Sequence, residues 1–111
     1  MLDNTYYGRS LKRYYIFAGA KLYTGAVLSE SFKTFDFVLF YTKWGGNYAT
    51  SMLIPTYAVD SSYNHFSNIF YLQGLNSNSF QLFSLNTDGQ TISNADSYNT
   101  AWTWLIGIRG F

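Results

Sequence analysis

Val, Ile, Phe, Tyr, Trp and Thr arrive along this chain in short bursts, each cut off by Gly, Asn, Ser or Asp. Branched and aromatic side chains fit a pleated, half-buried surface, and the residues between them supply turns, so the pattern predicts many strands and few helices. Nine strands are expected: Arg13–Ala18, Lys21–Tyr23, Ala26–Ser29, Phe35–Thr42, Tyr48–Pro55, Ile69–Gln73, Ser79–Leu85, Gln90–Ser93 and Trp102–Arg109. The expected fold class is all-β, an antiparallel β-sandwich of jelly-roll type.

Turn chemistry supports these breaks. Ala18-Gly19-Ala20 and Thr24-Gly25 interrupt the early runs, Gly45-Gly46-Asn47 can close a hairpin, and Asp88-Gly89 is a strong two-residue turn signal, which makes Phe83 to Ile92 a hairpin. Pro55 has no amide hydrogen to give to a ladder, so its strand should end there or lie at a sheet edge. Val59–Ser67 and Asn94–Thr100 are expected as polar loops that carry rings, a common form of ligand-contact surface.

Alternation within strands is informative. Trp102, Trp104, Ile106 and Ile108 share one apolar face of the last strand. Phe35-Asp36-Phe37-Val38-Leu39-Phe40-Tyr41 is apolar on both faces, as expected of a strand covered by a second sheet on one side and by something else, most economically a neighbouring subunit, on the other.

A length of 111 residues suits one domain, spanning 1–111, with residues 1–11 expected as a stem remnant or linker. Charged residues are 12% of the chain, against about 25% in an average soluble protein. Aromatics are 22%, so many rings are expected to meet another subunit or a ligand. The net charge of +1 argues against steering to nucleic acid or anionic lipid. Cysteine is absent, which excludes disulfides and thiolate metal sites. Neither an export signal nor a membrane span of about 18 apolar residues is seen.

Candidate chemistry is sparse. His65 is the single histidine, and no spacing selects an acid–base pair from Asp3, Glu30, Asp36, Asp60, Asp88 and Asp96. Asp36 lies in an apolar strand and Asp88 in a turn, where structural roles suffice. Zinc and calcium spacings, phosphate loops and dinucleotide motifs are not found, so neither metal nor cofactor is expected. Arg9, Lys12 and Arg13 beside Tyr14 and Tyr15 read as a solvated strand, being too few charges to track phosphates. What remains is an excess of rings with Asn, Asp and Ser in loops, a composition that can stack on sugar faces and bond their hydroxyls. The candidate ligand-binding residues are Trp44, Asn47, Tyr57, Asp60, Tyr63, Asn64 and His65.

The order of the segments Leu22–Ser31, Phe35–Tyr41, Ser51–Pro55 and Trp104–Arg109 resembles the C-terminal domain of phage tail fibre and minor tail proteins. In that family a short strand ends in a Ser-rich hinge, an aromatic–aspartate–apolar strand follows, a variable strand ends near proline, and the closing strand carries an apolar pair, Gly, Ile and a basic residue. The resemblance spans about Leu22 to Arg109. It implies a β-sandwich or jelly roll at the tail tip of the virion, usually a homotrimer, held among other tail proteins and binding bacterial cell-wall or capsular polysaccharide without a cofactor and without catalysis. Membrane insertion and nucleic-acid binding are not implied. The competing expectation is a structural virion component that touches no host ligand; a depolymerase would need two carboxylates in one cleft.

Overall fold

The computed structural model describes residues 11–56, 69–74, 76 and 78–110. Seven strands follow one another: β1 (Leu11–Gly19), β2 (Phe37–Trp44), β3 (Ala49–Pro55), β4 (Phe70–Gln73), β5 (Phe80–Leu85), β6 (Ile92–Tyr98) and β7 (Thr100–Gly110). They form a four-stranded sheet in the order β1-β7-β2-β3 and a three-stranded sheet in the order β4-β5-β6, and every pairing is antiparallel. The sheets pack face to face, which makes the all-β sandwich the sequence pattern predicts.

The interior follows from alternation. Val38, Phe40, Thr42 and Trp44 point from β2 toward the second sheet, joined by Thr103, Leu105 and Gly107 from β7. Phe83 of β5 meets them at the centre, its ring 5.0 Å from Phe40, 5.2 Å from Phe70 and 6.1 Å from Phe32. Edge-on and tilted ring pairs of this kind add about 0.5–1.5 kcal/mol each beyond the area they bury. The Phe35 ring lies across Gly107 so closely that a methyl group there would approach it to 2.5 Å.

One polar side chain ties the sheets together. The Gln81 amide, fully buried on β5, donates to Thr42 Oγ1 (2.9 Å) and Thr103 Oγ1 (2.8 Å), and its oxygen accepts from the Leu22 amide (2.8 Å). A buried amide that satisfies its partners in this way fixes one sheet against the other, whereas an unsatisfied one would cost about 1–3 kcal/mol.

Several expectations need correction. Lys21–Tyr23 and Ala26–Ser29 form no strand; only Val27 makes an isolated bridge, to Thr91. The chain turns at Gly25, whose φ of 89° suits glycine, and the Ala26 amide bonds Tyr23 O. This segment still packs: Leu22, Ala26 and Leu28 are buried along the side of the sandwich. Conversely Asn94–Tyr98, expected as loop, belongs to β6, because an edge strand with its polar residues turned outward needs little apolar sequence. Pro55 does end an edge strand, β3. The Asp88 turn joins β5 to β6: its carboxylate accepts from the amides of Gln90 (2.8 Å) and Thr91 (3.0 Å) and from Thr91 Oγ1 (2.8 Å). Asp36 is exposed just before β2 and accepts from the Gly110 amide.

The apolar face of β7 noted in the sequence is the one turned away from the second sheet. Register pairs place Arg13, Ile108, Phe37 and Pro55 in one row across this outer face, and Tyr15, Ile106, Leu39 and Leu53 in the next. Ala18, Trp104, Tyr41 and Ser51 make a third row, with Trp102, Lys43 and Ala49 beyond it. The sheet is therefore apolar on both sides, as the Phe35–Tyr41 run implies.

Candidate functional site: a cleft at one end of the sandwich

Three connections come together where β2 ends and β7 begins. The β2–β3 turn holds Gly45 to Tyr48, the β4–β5 connection brings Asn76 and Ser79, and Asn99 alone links β6 of one sheet to β7 of the other. Trp44, Gly45, Tyr48, Asn76, Ser79 and Asn99 line a cleft of about 310 Å³ between them, at the small end of the roughly 300–1,000 Å³ typical of ligand sites.

Each wall has a local cause. Gly46 (φ 71°) lets the tight β2–β3 turn close, with the Trp44 amide bonded to Tyr48 O at 2.9 Å. The turn leaves Tyr48 52% exposed beside the cleft. Asn76 builds its own turn: its side-chain oxygen accepts from the Asn78 amide (3.0 Å) and the Ser79 hydroxyl (3.3 Å), so the NH₂ end is left to donate. Asn99 adopts φ 61°, a left-handed conformation that Asn tolerates better than most residues, and its exposed carboxamide has no partner among the described residues.

Trp44 differs from its expected role. It ends β2 with only 2% exposure, its indole Nε1 donates to Thr50 Oγ1 at 2.7 Å, and a methyl group on Gly74 would come within 2.8 Å of its ring. It floors the cleft as a core residue and offers no open stacking face. Asn47 is exposed in the adjoining turn. Tyr57, Asp60, Tyr63, Asn64 and His65 lie outside the described residues. The sequence reading missed Tyr48, Asn76 and Ser79, and it flagged the segment Asn94–Thr100 as a ligand-contact surface without singling out Asn99. The polar run Asn76-Ser77-Asn78-Ser79 between two apolar strands was the available signal for two of them.

The cleft lining carries no charged side chain. Among the described residues no three of His, Asp and Glu gather as a metal site. The carboxylates are scattered: Glu30 pairs with Arg109 at 3.3 Å, Asp88 serves its turn, and Asp96 accepts from the Ser97 amide. The Arg109 guanidinium also lies 4.2 Å from the centre of the Tyr14 ring, and hydrogen bonding to Tyr14 and Glu30 raises its pKa above the usual arginine value. What the cleft can offer is therefore hydrogen bonding by amides and a hydroxyl, and contact with one open ring. No protein-family model, no curated protein and no solved structure matches this chain.

Proposed function

We propose that this chain is a receptor-binding domain of a phage tail, and that its end cleft holds a neutral saccharide unit of the bacterial surface. The observation that carries the reading is the pairing of an exposed ring, Tyr48, with the free amide groups of Asn76 and Asn99 around an uncharged cleft. A sugar presents an apolar face and a rim of hydroxyls. The ring can cover the first, and the second can be bonded by the Asn76 NH₂, whose oxygen is engaged in its own turn, and by both ends of the Asn99 carboxamide. The absence of charge from the lining disfavours an acidic polymer. Two of the segments that resemble tail fibre tips, Phe35–Tyr41 and Ser51–Pro55, run into the strands that carry this turn, which agrees with the reading.

Binding of the chain to immobilised cell-wall and capsular polysaccharides tests it, followed by titration of any oligosaccharide that binds. Tyr48→Ala should reduce affinity at least tenfold with the thermal transition unchanged. Absence of saccharide binding by the unaltered chain, or equal affinity in the variant, would overturn the assignment. The rival reading, a tail component without host ligand, draws on the wide apolar outer face of the four-stranded sheet.

A further inference from the structure

That outer face calls for a partner of its own. Four strands about 4.8 Å apart and seven residues at about 3.3 Å each give it a footprint of about 19 by 23 Å, or about 440 Å². Tyr15 (63% exposed), Leu53 (53%) and Trp102 (40%) stand out from it, and Tyr15, Leu39, Tyr41, Trp104 and Ile106 frame a shallow hollow of about 300 Å³. Among the described residues, its charges are Arg13 near one end and Lys43 near the other, with no carboxylate. Two such faces brought together cover about 900 Å² of footprint, and projecting rings raise the accessible area toward the roughly 1,000 Å² that a specific interface needs.

We propose that further copies of this chain cover the face, related by a rotation axis that runs along the strands. Such an axis keeps every residue at its own level. It therefore sets the β2 half of one face against the β7 half of a neighbour, and each β2 residue meets the residue that is its own register partner within the sheet. Leu39 then faces Ile106 of a neighbouring copy, Tyr41 faces Trp104, and Lys43 faces Trp102. Aliphatic meets aliphatic, ring meets ring, and the one cation of β2 on this face lies over an indole, the best aromatic partner for a cation. The face thus complements itself without acidic groups. An acidic partner of another sequence would find only two cations, at opposite ends. The same pairing arises in a two-fold or a three-fold assembly, and both leave the end cleft open, so this inference stands or falls independently of saccharide binding.

The chain has no cysteine, which makes the test clean. Leu39→Cys and Ile106→Cys chains, each confirmed as folded by circular dichroism, are mixed and treated with a short bismaleimide, because packed sheets lie about 10 Å apart. A covalently joined pair of the two variants is expected in high yield, and Leu39→Cys mixed with Asn94→Cys, which lies on the other sheet, should give at most a tenth as much. No joined pair from folded variants, or equal yields from both mixtures, would overturn the proposal.

Discussion

The two faces of the four-stranded sheet use nearly the same side-chain types to different ends. The inner face sets Val38, Phe40 and Leu105 against the rings of a second sheet and locks the register with the Gln81 amide. The outer face carries Leu39, Tyr41, Trp104 and Ile106 at the alternate positions of the same strands, with no second layer of this chain's described residues over them. Apolar content alone therefore does not mark the core of this domain. The inner face is distinguished by a satisfied polar tie and by close ring packing. The outer face is distinguished by a shallow hollow, by rings partly open to solvent and by the absence of any buried polar partner among the described residues.

Substitutions on the two faces should separate them. The largest effect is expected from Phe40→Ala, which empties the site against Phe83 and should lower stability in denaturant unfolding by about 3–5 kcal/mol. Gln81→Leu comes next: it leaves the Leu22 amide and two threonine hydroxyls without their partner, a loss on the order of 2–3 kcal/mol with binding at the outer face unaffected. Leu53→Ser on the outer face should change the stability of the single chain by less than about 0.5 kcal/mol, while weakening association measured by sedimentation. A loss comparable to that of Phe40→Ala would erase the distinction between the faces.

The smallest effect is one of pH. Neither face holds a carboxylate among the described residues, so acid should act elsewhere, at the Asp88 turn. Hydrogen bonds from the Thr91 and Gln90 amides hold the Asp88 carboxylate below its ordinary pKa of 3.8. A depressed folded-state pKa contributes stability that is present above 3.8 and lost as the pH falls through the folded value. Melting temperature should accordingly decline slightly below pH 3.8, and the decline should be smaller in Asp88→Asn.

Much of this architecture is legible in the sequence. Strand-forming bursts and turn residues locate six of the seven strands to within two residues, reach only the start of β6, and add two strands that do not form, while Gly45-Gly46-Asn47 and Asp88-Gly89 mark the β2–β3 and β5–β6 turns. Local composition misleads where hydrogen bonding is decided by neighbours. Ala26–Ser29 has strand-like residues, but the bend at Gly25 breaks its ladder, and polar Asn94–Tyr98 is a strand because β5 pairs with it. The site was less legible. Trp44 looks like a ligand ring in the sequence, yet alternation along β2 puts it inward with Phe40 and Thr42. Asn76 and Asn99 reach the cleft through the meeting of three connections, which no single segment encodes.

Mass in solution, measured by light scattering on the unaltered chain and on Tyr41→Lys, tests the two-face account most directly. The account predicts a dimer or trimer at micromolar concentration that becomes a folded monomer when a lysine is placed at the centre of the outer face. A monomer of 12.7 kDa for the unaltered chain, or an assembly that survives the substitution, would contradict it.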